Sequence, residues 1–184
     1  MSEPFLEACL RPDKREAEAR IGLRLSRSWL DETDLIGMRL AEFRDDPAYA
    51  SWGLRAIGLA ARRVMIGHIG FHSLPNPEYL QPYWPDGVEL AYTIYPRYRR
   101  RGYGYEATRG MLRWAAHTAY VRHFLLSVAA ENTASRGLAE KLGFVKAVEY
   151  HDEQLNPKYV YVLDGKAMPK RVAGYSGESL VPRP

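Results

Sequence analysis

From Phe5 to Leu10, and then at Ala17, Ile21, Leu23 and Leu25, apolar residues recur at loosely helical spacing, broken at Arg11-Pro12 and at Gly22. Leu35, Met38, Leu40 and Phe43 repeat the pattern and predict a second short helix that stops before Asp46-Pro47. The texture changes at Trp52. Leu54 to Leu59 and Val64 to Phe71 are apolar, β-compatible runs joined by the polar turn Ala61-Arg62-Arg63, which predicts an antiparallel hairpin. Ser73 to Gly87 carries Pro75, Pro77, Pro82 and Pro85 and is expected to be a loop. Loops of that length within a compact domain are often functional. In the next strand, Val88 to Tyr95, the positions Val88, Leu90, Tyr92 and Ile94 share one face and Glu89, Ala91, Thr93 and Tyr95 the other. Pro96 ends it. A helix follows from Gly102 to His117, with Ala107, Met111, Leu112, Trp114 and Ala115 as its buried stripe. His123 to Ala129 reads as a strand, Asn132 to Leu142 as a helix ended by Gly143, and Phe144 to Tyr150 with Lys158 to Leu163 as a closing pair of strands. The order predicts a mixed sheet with helices packed on it, in the α/β or α+β range.

Composition narrows the class. The 184 residues suggest one domain, read as a helical part over 1–50, a core over 51–164 and a tail over 165–184. Hydrophobic residues at 46% and charged residues at 26% exclude a disordered chain, and no apolar run reaches the ~20 residues of a spanning helix. The first residues carry no basic and apolar secretory pattern, and the single cysteine, Cys9, can make neither an internal disulfide nor a multi-cysteine metal site. The expectation is a cytoplasmic protein with no metal and no membrane contact. Net charge is +4, yet four arginines fall within the five positions from Arg97 to Arg101. That local cluster points to an anionic ligand rather than to nucleic acid, for which no binding module is evident.

The cluster leads into Arg99-Arg100-Arg101-Gly102-Tyr103-Gly104-Tyr105-Glu106-Ala107, where a basic loop becomes a helix through two glycines. The first-turn amides of a helix have no internal partners and lie at the positive end of its dipole. Glycine lets a phosphate approach them, and arginine adds forked donors. The segment also fits G-x-G-x-x-A, with Glu131 after the following strand, which leaves a dinucleotide site as an alternative. Against that alternative, the loop from Tyr95 to Arg101 separates strand from glycine, and too few strand–helix units follow for a doubly wound sheet.

Arg99-x-x-Gly102-x-Gly104 is similar to the acetyl-CoA signature of the GNAT superfamily of N-acetyltransferases. Val88 to Ile94 resembles the family's fourth strand, the segment ending Ile66-Gly67-His68-Ile69-Gly70-Phe71 the strand before it, and Asn132-x-x-Ser135 through Glu140-Lys141-Leu142-Gly143-Phe144 its second motif. The resemblance runs from about Trp52 to Leu163 and is nearest to the branch of ribosomal-protein N-terminal acetyltransferases. It implies a mixed, mostly antiparallel sheet flanked by helices, splayed between the family's fourth and fifth strands. It implies acetyl-CoA as cosubstrate, with the backbone of Ile94 and Tyr95 on the pantetheine arm. Arg99, Arg101, Gly102, Tyr103 and Gly104 would hold the pyrophosphate, and Asn132 and Ser135 would lie near the thioester. Asn132 also reads as a helix N-cap.

Transfer to an amine needs a base, a polarised carbonyl and a proton for the leaving thiolate. Glu89, a charged residue within an apolar strand, is the candidate base, with His68 and His72 on the preceding strand as possible helpers. Where family members carry a tyrosine acid this chain has Ala139, which leaves Ser135 or water as the expected acid. The family's usual first strand is not evident, so the sheet is expected to be one strand short, or to have that edge supplied by a partner chain as in a homodimer. The acceptor is expected to be an amine of a small molecule or a peptide N-terminus. Tyr79, Tyr83 and Trp84 beside Glu78 and Asp86 in the Pro-rich loop suit a cation. A CoA-binding module without catalysis is the competing reading.

Overall fold

The computed structural model describes residues 1–118, 121–151 and 154–167; the expected tail from 168 onward lies outside the described residues. Four helices come first: α1 (Glu3–Cys9), α2 (Arg15–Ile21), α3 (Arg27–Leu30) and α4 (Thr33–Asp45). The breaks fall at the expected Arg11-Pro12 and at Gly22, which ends α2 in the left-handed conformation that glycine tolerates. The short α3 was not foreseen. Its signal is Ser26, whose hydroxyl caps the amide of Trp29.

Six strands and two further helices follow: β1 (Arg55–Leu59), β2 (Val64–Phe71), β3 (Gly87–Ile94), α5 (Tyr103–Thr118), β4 (His123–Ala129), α6 (Thr133–Lys141), β5 (Val145–His151) and β6 (Pro157–Asp164). The strands form one sheet in the order β1-β2-β3-β4-β6-β5. β1 and β2 make the expected hairpin. Only the β3–β4 neighbours run parallel; the other pairs are antiparallel. A doubly wound dinucleotide fold is therefore excluded. No described residue before Arg55 belongs to a strand of the sheet; the segment near Leu23 makes one parallel bridge, Arg24 to Val64. Among the described residues the sheet has six strands.

The register creates an opening. β3 pairs with β4 only over Gly87–Glu89, against His123–Leu125. Beyond that, β3 stays bonded to β2 as far as Ile94 while β4 stays bonded to β6 as far as Ala129. Each strand follows its outer neighbour and the twist of the sheet carries the two apart. This is the expected splay.

Two cores hold the molecule. One gathers Phe71, Val88, Leu90, Met111, Leu112, Phe124 and Phe144 where α5 and α6 meet the sheet. The other gathers Phe5, Leu6, Trp29, Ile36, Leu54, Met65 and Tyr95 beneath α1–α4. The alternation along β3 sends Val88, Leu90 and Tyr92 to the first core and Tyr95 to the second. The candidate functional side chains of β3 are divided in the same way.

Candidate active site

β3 ends at Ile94, Pro96 opens a short turn, and the chain reaches α5 through Arg99-Arg100-Arg101-Gly102. Arg100 (φ 58°) and Gly102 (φ 83°) are both left-handed, which brings the chain round into the helix. The first amide to bond back is that of Glu106, to the carbonyl of Gly102 at 3.0 Å. The amides of Gly102, Tyr103, Gly104 and Tyr105 have no backbone acceptor among the described residues. Nothing lies within 4 Å of where a Cβ on Gly102 would stand. Arg100, Arg101 and Gly102 are exposed, and among the described residues no carboxylate pairs with Arg97, Arg99, Arg100 or Arg101. Unpartnered amides, the dipole of a 16-residue helix and guanidiniums without a carboxylate meet the chemical requirements of a diphosphate.

Gly104 is different. A Cβ there would stand 3.3 Å from Leu138 Cδ2 and 3.6 Å from Ile94 Cγ1, so its smallness sets how closely α5 approaches α6 and β3. Arg99 is partly committed, since its Nε donates to the carbonyl of Ile94 at 2.8 Å. Tyr95 is committed as well: its amide donates to Ile66 at 2.9 Å and its carbonyl accepts from Tyr98 at 2.8 Å. The backbone of Tyr95 is therefore occupied, and the edge of β3 bordering the opening is that of Tyr92 and Ile94.

Glu89 sits on the opposite face of β3 from Tyr92, at the last residue paired with β4. Its side chain is only 14% exposed and lies 3.5 Å from His72 Nδ1. Tyr79, from the Pro-rich loop, donates its hydroxyl to Glu89 at 3.3 Å. Burial pushes the Glu89 carboxyl upward, but hydrogen bonds from His72, Ser127 and Tyr79 together outweigh it and hold the group below its ordinary value. The result is a carboxylate kept ionised at neutral pH. Burial also lifts the Tyr79 phenol to about 12, with the Glu89 charge adding to the effect. An open depression of about 380 Å³ adjoins this face, lined by Glu42, Asp45, Asp46, Tyr49, His72 and the stretch 73–77. A larger one, about 530 Å³, between α2 and the β1–β2 turn, includes none of the expected site residues.

His68 does not join Glu89. It is buried among Trp29 and Tyr95 and its Nε2 meets Glu32 Oε2 at 2.8 Å, in the second core. On the other face of β3, Asn132 caps α6 by accepting from the amide of Ser135 at 3.1 Å. Tyr92 donates its hydroxyl to Ser135 Oγ at 3.2 Å. Ser135 stands out in the sequence as a candidate, whereas Tyr92 reads there as one more apolar position of the strand.

The sequence matches the family model described as the acetyltransferase (GNAT) domain over residues 7–145, and the chain belongs to that family. The match takes in the end of α1, α2–α4 and the chain from β1 through α6, and stops at the first residue of β5. Among solved structures, the ribosomal-protein-S5-alanine acetyltransferase from Vibrio fischeri is similar over 89% of this chain and 91% of its own, with 12% identity and a TM-score of 0.62. A GNAT-family acetyltransferase from Bacillus anthracis has 18% identity, TM-score 0.57 and coverage of 74% and 75%. A mutant of the spermidine N-acetyltransferase from Vibrio cholerae has 14% identity, TM-score 0.59 and coverage of 73% and 78%. At these identities the likeness establishes the fold. No curated protein matches the sequence. Among the described residues no helix is long and apolar enough to cross a membrane.

Proposed function

We propose that this acetyltransferase moves an acetyl group from acetyl-CoA to the primary amine of a small molecule or a peptide N-terminus by direct attack in a ternary complex. The observation that carries the reading is the set of unpartnered amides from Gly102 to Tyr105, beside unpaired arginines, at the mouth of the opening between β3 and β4. Those amides with Arg101 and Arg99 take the pyrophosphate; the Ile94 edge of β3 takes the pantetheine arm; Asn132 and Ser135 border the thioester. Glu89, ionised and reached by His72, accepts the amine proton directly or through a water. The acidic depression that shares His72 with Glu89 suits a cationic amine. The likeness to the ribosomal-protein acetyltransferase supports keeping peptide N-termini among the acceptors, and the likeness to the spermidine enzyme supports small amines.

The test is a thermal shift with acetyl-CoA, CoA and NADH, followed by an amine panel read as released thiol. Acetyl-CoA and CoA should raise the melting temperature and NADH should not. Replacing Arg101 by Ala should weaken the CoA shift, and raised salt should weaken it further, because the charges are exposed. A protein indifferent to both CoA species would remove the reading.

A further inference from the structure

The reaction needs a proton for the leaving sulfur, and the helix position that would supply it carries Ala139, which is fully buried. Tyr92 packs against the core cluster that contains Ala139, and its ring lies 3.8 Å from where a Cβ on Gly104 would stand. From there its hydroxyl meets Ser135 Oγ at 3.2 Å. We propose that Tyr92, projecting from β3, takes over the acid's role at this site by acting through Ser135 as a two-hydroxyl relay to the leaving thiolate. This rests on the acetyl-CoA reading above.

Three features of the geometry support the relay. Ser135 is fixed in the first turn of α6 by the bond from its amide to Asn132. Because Ser135 Oγ accepts from Tyr92, its own proton is free to point elsewhere, and the opening beside β3 is where a donor is needed. Glu89 and Tyr92 stand on opposite faces of that strand, three residues or about 10 Å apart along it. Base and acid therefore flank a thioester threaded between β3 and β4. Burial raises the Tyr92 phenol above its ordinary value, against the hydrogen bond to Ser135, so the proton is present at neutral pH.

The step balances. The amine nitrogen forms a bond to the thioester carbonyl carbon, and Glu89 accepts the nitrogen's proton. As the carbon–sulfur bond breaks, its electron pair stays on sulfur. The Ser135 proton passes to sulfur while the Tyr92 proton passes to Ser135, and solvent restores the phenol. Ser135 is the catalytic residue; Tyr92 positions it and supplies its proton.

The experiment compares wild type with Tyr92→Phe, which keeps the ring, and Ser135→Ala, on a partly exposed helix turn. Turnover is measured with acetyl-CoA and an accepted amine. Binding of CoA and of desulfo-CoA is measured by calorimetry at pH 7 and pH 9, on either side of a free thiol's value of about 8.5. Both variants should lose about tenfold or more in kcat with little change in KM for acetyl-CoA. Wild type should gain several-fold in affinity for CoA over desulfo-CoA between the two pH values, because a hydroxyl donor favours the thiolate, and both variants should lose that gain. A purely structural tie between β3 and α6 would leave the CoA preference unmoved. If wild type binds CoA and turns over while Tyr92→Phe matches it in kcat and in the pH-dependent preference, the relay is overturned alone. If wild type neither binds CoA nor turns over, the acetyl-CoA reading fails and takes the relay with it.

Discussion

At the scale of single residues, Glu89 shows how an environment chooses a protonation state. Its carboxylate is buried, which favours the neutral acid, yet His72, Ser127 and Tyr79 all direct donors at it and the charged form prevails. The folded-state value is therefore below the unfolded one. Stability from this site is present at neutral pH and is lost as pH falls through the lowered value. As a base, the group should stay active down to unusually acid conditions. The acid limb of kcat/KM is expected below the ordinary carboxylate range, and Glu89→Gln should cost about 100-fold in kcat while leaving CoA affinity intact. Replacing His72 by Ala removes one of the opposing interactions and should move the acid limb to higher pH. Stopped assays from about pH 3 to pH 8, reaching below the ordinary glutamate value of about 4.3, would measure it, and a limb that stayed in place would exclude His72 as a partner. Glu89 itself was legible in the sequence because a charge within an apolar strand is conspicuous. Its donors were not, since they arrive from β2, β4 and the Pro-rich loop through pairings that no local pattern encodes. Tyr92 was hidden for the opposite reason: its ring obeys the alternation of β3, and only the packing of α6 shows where its hydroxyl goes.

At the scale of elements, the site depends on how strands and helices begin and end. Gly102 holds a left-handed φ of 83° in open space, so a side chain there would strain the backbone without meeting a neighbour. Gly102→Ala should therefore cost about 1–2 kcal/mol and disturb the row of amides that α5 presents. Asn132→Ala removes the cap of α6 and should cost about 1 kcal/mol, seen as a lower urea midpoint at unchanged m. If the Asn132 variant kept wild-type stability, the bond to Ser135 would not be holding the turn. These boundaries were well foreshadowed, because glycine, proline and capping residues act locally. The splay required more. β3 and β4 each read as ordinary strands, and only the family resemblance supplied their divergence; the coordinates show its cause in the outer partners β2 and β6, which each strand follows. The bridge from Arg24 to Val64 was likewise not legible, because it pairs segments about 40 residues apart.

At the scale of the molecule, two cores share one sheet, and His68 joins the helical layer to it. The imidazole is 7% exposed at its side chain and reaches Glu32, beside the start of α4, across the interface that α1–α4 make with β2. Burial lowers its readiness to take a proton, and Glu32 only partly restores it. The unfolded chain thus binds the proton first. Stability from this site is complete above the ordinary histidine range and declines as pH falls through that range toward the lowered folded value. On mild acidification the interface should weaken before the α5–α6 core does. Hydrogen exchange compared at pH 7.5 and pH 5.5 should show protection lost in α4 and kept in α5, once corrected for intrinsic rates. His68→Gln removes the titrating group, so its melting temperature should fall less than that of wild type over the same interval. A parallel fall in the two proteins would assign the acid sensitivity to carboxylates elsewhere and leave His68 as packing alone.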